Sequence, residues 1–292
     1  MKILITGSSG FLGNYLCKNL IGQKITGVDK SINCMDGCDY FFTNLLKNST
    51  ELENIISGID LVIHLASPVG IENIDKNSYS FLNEMLKINL NLFNLVSKYN
   101  KKIIFFSTSE VYLNNSNAKE DHNLTIGSPN KLRWGYASGK LTSEFLCKSL
   151  CKNNIIIRPF NITGIGDNKG VLYNFMNSIK NNRNIIIHGN GNQIRTFCDI
   201  KDLCNFLSKI LDKNFNGEIY NIGNTKNSIS IKKLAEKCIK LSTKNIKVEY
   251  KNYSDIFSKN YSDILMRIPN CDKMDKIYKA KFSLNHIIKS ML

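Results

Sequence analysis

The chain has 292 residues, of which 42% are hydrophobic, 10% aromatic and 22% charged, as in an ordinary soluble globular protein. These fractions exclude collagen-like, mucin-like and wholly disordered chains, and the apolar runs are far shorter than the ~18 residues that a membrane span needs. Lys and Arg outnumber Asp and Glu by 39 to 24, a net charge of +15 that admits nucleic acid, anionic lipid or a phosphorylated small molecule as partner.

The first half of the chain alternates short apolar segments with amphipathic ones. The apolar segments predict buried strands, and the segments with helical periodicity predict the helices between them. Such alternation is typical of an α/β fold with a doubly wound parallel sheet of the Rossmann type. The predicted elements are, in chain order, a strand Lys2–Thr6, a helix Gly10–Ile21, strands Ile25–Asp29 and Asp60–Leu65, a helix Ser78–Tyr99, a strand Lys102–Ser107, a helix Arg133–Cys151 and a strand Asn154–Arg158.

The elements after Pro159 are shorter and less regular. Short elements joined by loops suit a smaller lobe that closes over a ligand. We therefore expect a sheet domain in residues 1–160 and a smaller C-terminal ligand-binding lobe in residues 161–292, interleaved with it. The predicted elements of this lobe are strands Ile185–Ile187, Ile219–Asn221 and Ile246–Tyr250 and helices Asp199–Leu211, Ile231–Leu241 and Leu284–Leu292.

The basic residues are spread along the whole chain, and no nucleic-acid-binding motif accompanies them. We therefore expect neither a nucleic-acid nor a membrane partner. No apolar leader precedes the first predicted strand, so we expect a cytoplasmic protein. The nine cysteines form no Cys-x-x-Cys pair and the four histidines are scattered, so we expect reduced thiols and no bound metal.

Three glycines follow the first predicted strand at a spacing that predicts a dinucleotide-binding turn. Gly7 permits a tight turn, Gly10 lets the backbone approach a pyrophosphate, and Gly13 lets the next helix pack closely on the sheet. The N-terminus of that helix favours negative charge, and its N–H groups would face the phosphates. The other residues of this turn that we expect to bind the cofactor are Ser9, Phe11 and Leu12.

Asp29 ends the next predicted strand, about twenty residues after the glycines. Its carboxylate can accept hydrogen bonds from both ribose hydroxyls of a dinucleotide and would repel a 2′-phosphate. The neighbouring Lys30 acts in the opposite direction on a phosphate. The carboxylate therefore predicts NAD as the cofactor in preference to NADP.

Tyr136 and Lys140 lie four residues apart in a predicted helix, so both side chains project from one face. A nearby ammonium favours the phenolate and lowers the pKa of a tyrosine from its usual value of about 10. The positive charge of an oxidised nicotinamide would act in the same direction. Such a phenolate can take a proton from a substrate alcohol while a hydride leaves for NAD, so we expect both residues to be catalytic and to contact the cofactor.

These motifs resemble those of the extended short-chain dehydrogenases/reductases, the NAD-dependent epimerase/dehydratase family. The resemblance rests on the Gly-x-x-Gly-x-x-Gly spacing, on Asp60–Ala66 (DLVIHLA) and on the Tyr-x-x-x-Lys pair, and it covers nearly the whole chain. Family members commonly dimerise through two helices, here Ser78–Tyr99 and Arg133–Cys151, so the resemblance also implies a homodimer. It implies that further cofactor contacts come from Asn44, Leu45, Leu65, Ala66, Ser67 and Asn89.

Within the family, three stretches resemble UDP-glucuronate decarboxylases: Ser107–Glu110 (STSE), Gly127–Tyr136 (GSPNKLRWGY) and Arg195–Asp202 (RTFCDIKD). The first of these is also similar to GDP-mannose 4,6-dehydratases. Ser109 stands where dTDP-glucose 4,6-dehydratases typically have an aspartate, which disfavours that branch. Leu113 departs from the pattern, because a glycine usually follows the Val-Tyr pair.

The resemblance implies a redox-neutral reaction on a nucleotide-diphosphate sugar. Tyr136, assisted by Thr108 and Lys140, would deprotonate the C4 hydroxyl while C4 passes a hydride to NAD. The resulting 4-ketone would make the C5 hydrogen acidic and would turn a C6 carboxylate into a β-keto acid. Thr108 would also contact the substrate through the reacting oxygen.

The later steps would depend on a second group of residues. Glu110, with Ser109, would assist loss of carbon dioxide or elimination of water. The resemblance leaves two roles open for Arg195, holding the sugar carboxylate or holding the diphosphate, and it implies that Asn161 and Arg267 bind the diphosphate. UDP-glucuronate decarboxylation is the leading hypothesis; the alternatives are a 4,6-dehydratase, a 4-epimerase and a non-catalytic NAD-sensing scaffold.

Overall fold

The computed structural model describes residues 1–31, 38–47, 49–70, 74, 77–253 and 263–292. The strands among these residues are β1 (Lys2–Thr6), β2 (Lys24–Asp29), β3 (Asp39–Phe42), β4 (Leu61–His64), β5 (Lys102–Phe106), β6 (Asn115–Ala118), β7 (Asn154–Pro159), β8 (Ile162–Thr163), β9 (Ile185–His188), β10 (Ile194–Thr196), β11 (Cys198–Asp199), β12 (Glu218–Ile222), β13 (Ser228–Ser230), β14 (Val248–Lys251) and β15 (Met266–Pro269). The helices are α1 (Phe11–Asn19), α2 (Thr50–Ser57), α3 (Ser78–Lys98), α4 (Trp134–Leu150), α5 (Gly170–Lys180), α6 (Ile200–Ile210), α7 (Ile231–Ser242), α8 (Asp272–Asp275) and α9 (Leu284–Met291), with 3₁₀ turns at Ser109–Tyr112 and Thr225–Asn227.

Seven strands form one fully parallel sheet in the order β12-β7-β5-β4-β1-β2-β3. The chain builds outward from β1 in one direction through β2 and β3 and then in the other direction from β4. The strand order therefore changes direction between β1 and β4, and open α/β sheets bind their ligands beside the carboxyl ends at such a point. The sheet confirms the predicted α/β class with a doubly wound parallel sheet.

The central strands are buried on both faces, as parallel strands are when helices cover the two sides of a sheet. On β1, Ile3 and Ile5 pack with α1 and α6, whereas Leu4 between them packs with α2 and α3. Successive side chains of a strand point to opposite faces, so this alternation builds two apolar layers from one strand. Together these layers hold the carboxyl ends of the strands, and the loops that follow them, in fixed positions.

The smaller lobe contains its own core and a mixed four-stranded sheet. Helices α5, α7 and α9 enclose that core around β9. The sheet has the order β13-β10-β15-β6, and its β10–β15 register pairs Arg195 with Arg267. The two halves of the chain interleave, because β6 joins the small sheet and β12 joins the large one. In the part of the chain that the structure describes, we find no helix long and apolar enough to cross a membrane.

Candidate active site

A cleft of about 440 Å³ lies at the carboxyl ends of β1, β2 and β4, where the strand order changes direction. Most residues that the sequence predicts to bind the cofactor line this cleft. They are Gly7, Gly10, Phe11, Leu12, Gly13, Asp29, Asn44, Leu45, Leu65, Ala66, Ser67, Tyr136 and Lys140.

The glycine turn fits a bound dinucleotide. Gly7 has a φ of +71°, and a Cβ there would lie 2.8 Å from the backbone nitrogen of Ala66. A Cβ on Gly13 would lie 2.2 Å from the carbonyl oxygen of Gly7, so α1 can approach the turn only because this residue has no side chain. Gly10, the N-cap of α1, lines the cleft, and the positive end of the helix dipole faces it. These residues would hold the diphosphate of NAD.

Asp29 is fixed at the edge of the cleft by hydrogen bonds to both carboxylate oxygens. The Ser9 backbone N–H donates to Oδ2 (3.0 Å), and the Ser31 backbone N–H and hydroxyl donate to Oδ1 (both 3.1 Å). Lys30, which opposes the expected preference for NAD, is held in an ion pair with Glu84 (2.8 Å) on the same cleft wall. An oriented carboxylate here suits ribose hydroxyls and disfavours a 2′-phosphate.

Two predicted cofactor residues, Ser9 and Asn89, do not line the cleft. Ser9 turns its hydroxyl to the carbonyl oxygen of Ser31 (3.0 Å). Asn89 is fully buried, and its amide nitrogen donates to the Ser143 hydroxyl (2.6 Å). The polar atoms of both side chains are thus bonded within the protein, and their contact with the cofactor stays a prediction. Asn44 does line the cleft, although its amide oxygen accepts the Leu46 N–H (3.0 Å).

His64 joins these buried groups across the end of β4. Its Nδ1 accepts the Thr6 hydroxyl (2.7 Å), and its Nε2 donates to the amide oxygen of Asn89 (2.9 Å). Burial and the charge of Lys140 lower the pKa of His64 to about 3, against the hydrogen bond with Asn89, which raises it. The neutral ring therefore links β1, β4 and α3 directly behind the cleft.

Tyr136 lies where the cleft meets a second, larger cavity of about 950 Å³, and it lines both. Thr108 hydrogen-bonds to the phenol, and Glu110 lines the larger cavity. Lys140, one helical turn after Tyr136 on α4, lines the cleft and donates to the carbonyl oxygen of Phe106 (2.9 Å). The structure thus brings Thr108, Glu110, Tyr136 and Lys140 together at one junction.

The pKa values at this junction differ from the sequence-based expectation. Burial raises the pKa of Tyr136 and the charge of Glu110 raises it further, while the Thr108 hydrogen bond and the charge of Arg267 lower it. Burial also lowers the pKa of Lys140 to about 7, against the charge of Glu144. Burial is the largest cause at both residues, because it disfavours the charged phenolate and the charged ammonium alike. The predicted depression of the Tyr136 pKa is therefore wrong for the protein without its cofactor.

Glu110 is surrounded by arginines. Its Oε1 accepts from Arg267 Nη1 (3.1 Å), and its Oε2 lies 3.5 Å from Arg133 Nη2. Arg267 also donates from Nη2 to the amide oxygen of Asn161 (2.7 Å). Neither Asn161 nor Arg267 lines the larger cavity, since Arg267 binds Glu110 and Asn161 accepts from Arg267. Their contact with a diphosphate stays a prediction.

Arg195 lines the larger cavity, and Asp263 lies beside it. Arg195 Nη2 donates to Asp263 Oδ1 (2.9 Å), and Arg133 Nη1 donates to the same oxygen (3.2 Å). Burial and the charges of Arg267 and Arg133 lower the pKa of Arg195 to about 10, whereas Asp263 and Glu110 raise it. Ser109, predicted as a helper of Glu110, is buried and lines neither cavity.

The sequence reasoning missed Arg133 and Asp263 as site residues. Arg133 immediately precedes α4 and stands inside the stretch that resembles UDP-glucuronate decarboxylases, so that stretch held a usable signal. Asp263 lies four residues before Arg267, and its role depends on a long-range contact with β10 that no local pattern gives. Across the described residues, no group of three or more His, Cys, Asp or Glu side chains is arranged to hold a metal ion.

The sequence model of the NAD dependent epimerase/dehydratase family matches residues 3–223. The chain therefore belongs to this family of enzymes, and NAD is its cofactor. One relative is the UDP-N-acetyl-alpha-D-glucosaminuronate decarboxylase of Bacillus cytotoxicus, 27% identical over 296 residues that cover 94% of this chain and 91% of the relative. Another is the dTDP-D-glucose 4,6-dehydratase of Dictyostelium discoideum, 33% identical, with 82% of this chain and 62% of the relative covered.

Solved structures share the fold. PbgP3 from Burkholderia pseudomallei superposes with a TM-score of 0.86 at 24% identity, covering 99% of this chain and 94% of that one. UDP-glucuronic acid 4-epimerase from Bacillus cereus, in complex with UDP-glucuronic acid and NAD, superposes with a TM-score of 0.84 at 24% identity, covering 100% and 98%. At these identities the likeness establishes the architecture, and the relatives differ in the reactions that their names describe.

Proposed function

We propose that the protein is an NAD-dependent decarboxylase of a nucleotide-diphosphate sugar acid, of the UDP-glucuronate type, acting through a transient 4-keto sugar. One observation carries the proposal. Beside Tyr136, three largely buried arginines, Arg133, Arg195 and Arg267, surround only two carboxylates, Glu110 and Asp263. Of these five side chains, Glu110, Arg195 and Asp263 line the larger cavity.

This cluster has a net charge of +1 in a largely buried place. Its five side chains are between 4% and 12% exposed, so water screens the surplus charge poorly. The lowered pKa of Arg195 has the same origin, since burial and two neighbouring guanidinium groups disfavour its charge. A ligand with one carboxylate at this position would balance the cluster, and Arg is suited to bidentate binding of a carboxylate. The neutral hydroxymethyl group of a simple hexose would leave the surplus positive charge unbalanced.

The proposed chemistry begins at Tyr136. When bound in the cleft, NAD would supply the acceptor for the C4 hydride and the donor that restores it. Tyr136 takes the proton of the C4 hydroxyl. Thr108, which hydrogen-bonds to the phenol, would also bind the reacting C4 oxygen of the sugar. Because the protein environment raises the pKa of Tyr136, this step needs the additional positive charge that binding of the oxidised cofactor brings to the cleft.

The 4-ketone itself activates the sugar acid for loss of carbon dioxide. A ketone at C4 places the C6 carboxylate in the β-keto position, so the C5–C6 electron pair can move into the carbonyl group as carbon dioxide leaves. The proton that C5 then receives comes from solvent. Glu110, a carboxylate oriented by Arg267 and Arg133 on the wall of the larger cavity, would take up that proton and pass it to C5. Arg195 on the cavity wall would hold the departing carboxylate.

A 4,6-dehydratase is the second candidate, because the Dictyostelium relative of that name is 33% identical over its matched region. It would use the same first half-reaction, with Glu110 taking the C5 proton. Elimination of water also needs an acid that protonates the leaving hydroxyl. The buried Ser109 hydroxyl is a poor donor for that purpose compared with a carboxylic acid. A 4-epimerase needs no proton transfer at C5, so Glu110 would have no acid/base role in it.

Product masses distinguish these reactions. The protein is incubated with NAD and, separately, with UDP-glucuronate, UDP-N-acetylglucosaminuronate, UDP-glucose and dTDP-glucose. We expect the uronates to lose carbon dioxide. Loss of water from a neutral sugar would establish the dehydratase, and an isomer of unchanged mass would establish the epimerase. A Tyr136→Phe variant serves as the inactive control, and equal conversion by that variant would remove Tyr136 from the mechanism.

We further propose that the protein forms a homodimer through α3 and α4. The two helices pack against each other and leave the apolar side chains of Leu90 and Phe145 exposed. Sedimentation of the wild type as a dimer at micromolar concentration, and of a Phe145→Glu variant as a monomer, is the expected result. A wild type that sediments as a monomer would contradict the proposal.

A further inference from the structure

Asp263 is a carboxylate in the wall of the larger cavity to which the proposed reaction assigns no chemical task. Its Oδ1 accepts from Arg195 Nη2 (2.9 Å), from Arg133 Nη1 (3.2 Å) and from its neighbour, the Ile264 backbone N–H (2.8 Å). Its Oδ2 accepts the phenol of Tyr253 (2.8 Å). One carboxylate thus binds two guanidinium groups beside the place where the substrate would lie.

Arg195 does not depend on Asp263 for its position. Its Nη1 donates to the carbonyl oxygens of Ile264 (2.7 Å) and Ile194 (3.0 Å), and these two bonds already orient the planar guanidinium group. The bond from Arg195 Nη2 to Asp263 therefore neutralises the charge of Arg195 and is not needed to orient its guanidinium group. Both Arg195 and Asp263 line the cavity, so an incoming anion can reach this bond.

We propose that Asp263 is a specificity-determining residue: its carboxylate occupies Arg195 and Arg133 in the absence of substrate, and only a substrate carboxylate can displace it. The inference rests on the proposed function and deepens it, because it names the group that a substrate must carry. The Asp263 Oδ1 atom already accepts the hydrogen bonds from Arg195 Nη2 and Arg133 Nη1, so a substrate carboxylate has to take these bonds over. Asp263 stays beside the cluster through its bonds with the Ile264 N–H and the Tyr253 phenol. A neutral sugar has no carboxylate that could bind the two arginines, so it leaves the contacts of Asp263 intact.

Binding measurements with an Asp263→Asn variant test the inference. The amide keeps the shape of the side chain and an oxygen acceptor but removes the negative charge. Titration calorimetry is performed with NAD present and in a Tyr136→Phe background, so that substrate is not turned over, using UDP-glucuronate, UDP-glucose and UDP as ligands. The matched control is Asp212→Asn, which removes the same charge from an exposed position after α6.

We expect Asp263→Asn to tighten UDP-glucuronate binding by about tenfold or more, the scale of one charge-assisted hydrogen bond, and to change UDP-glucose and UDP binding by less than about twofold. Weaker UDP-glucuronate binding would show that Asp263 holds the arginines in place, and would overturn the inference. Equal tightening of all three ligands would also overturn it, since the arginines would then serve the shared diphosphate. Asp212→Asn should leave all three affinities unchanged.

A second variant keeps the test decisive if Asp263→Asn does not fold. Tyr253→Phe removes the hydrogen bond to Asp263 Oδ2 and keeps the negative charge of Asp263, so Asp263 releases the two arginines more easily. We expect UDP-glucuronate binding to tighten by a smaller factor than in Asp263→Asn, with UDP-glucose and UDP binding unchanged. Absence of this selective tightening would overturn the inference. Carbon dioxide release by the wild type reports on the proposed function separately. A protein that binds UDP-glucuronate without releasing carbon dioxide would refute the decarboxylase and leave the Asp263 measurement valid.

Discussion

Replacing Lys140 with methionine should stabilise the folded protein, most strongly at acid pH. The Lys140 side chain is 3% exposed, and its ammonium donates to the carbonyl oxygen of Phe106. Glu144, the carboxylate whose charge raises the pKa of Lys140, is already bound by Arg158 (2.6 Å) and by the Ser107 hydroxyl. Burial therefore lowers the pKa of Lys140 from 10.5 to about 7. Methionine has a similar shape and carries no charge, so it removes the cost of burying the ammonium.

The size and sign of the effect follow from the two pKa values. Below pH 7 the folded and unfolded chains both hold the proton, and the full cost of the buried charge is present. Since one pKa unit corresponds to about 1.4 kcal/mol, this cost is of order 3–5 kcal/mol. Between pH 7 and 10.5 the unfolded chain holds the additional proton, so the wild type gains stability as the pH rises. The advantage of the methionine variant should shrink across that range.

Urea unfolding at pH 6, 7, 8 and 9 measures this difference directly. The free energy of unfolding of Lys140→Met should exceed that of the wild type by a few kcal/mol at pH 6 and by clearly less at pH 9. Lys152→Met, at an exposed position after α4, is the matched control and should show no such pH dependence. A Lys140→Met variant that is less stable at pH 6, or whose advantage is constant with pH, would refute the desolvation argument.

Three other substitutions probe the acid/base group, the backbone and the cofactor site. Glu110→Gln should slow carbon dioxide release by about 10²–10⁴-fold, and unchanged turnover would exclude Glu110 from the chemistry. Leu113→Gly should raise the free energy of unfolding in urea by about 1 kcal/mol, because φ 52° and ψ −124° suit glycine; a loss would mean that the contacts of the leucine side chain outweigh the strain. Asp29→Asn should weaken NAD binding by about tenfold and narrow the preference over NADP, as fluorescence titration with each dinucleotide would measure; an unchanged ratio would remove Asp29 from the selection.

The parts of the fold that sequence predicts are those with strong apolar patterning. Strands β1, β4 and β5 are buried on both faces of the sheet, and each is a nearly continuous apolar run in the sequence. Such a run predicts a buried strand of a parallel sheet. The pattern does not predict β3, because this strand lies at the sheet edge and three of its four residues are exposed. It also misses β6, a short polar strand that exists only through pairing with β15.

The active site divides in the same way. The proximity of Tyr136 to Lys140 follows from helix geometry, and the position of Glu110 follows from the end of a parallel strand. The arginine cluster does not follow from local pattern, since Arg195 and Arg267 meet only because β10 pairs with β15. The pKa of Lys140 was equally beyond sequence reasoning, because it is set by burial rather than by the neighbouring tyrosine.

Carbon dioxide release from UDP-glucuronate labelled with carbon-13 at C6 tests the central claim most directly. The reaction is run with NAD in deuterium oxide and followed by NMR. The account predicts labelled carbon dioxide together with a pentose product that carries one deuterium at C5, delivered where the carboxylate left. Retention of the label in a C4 epimer, or in a product that has lost water, would contradict the account.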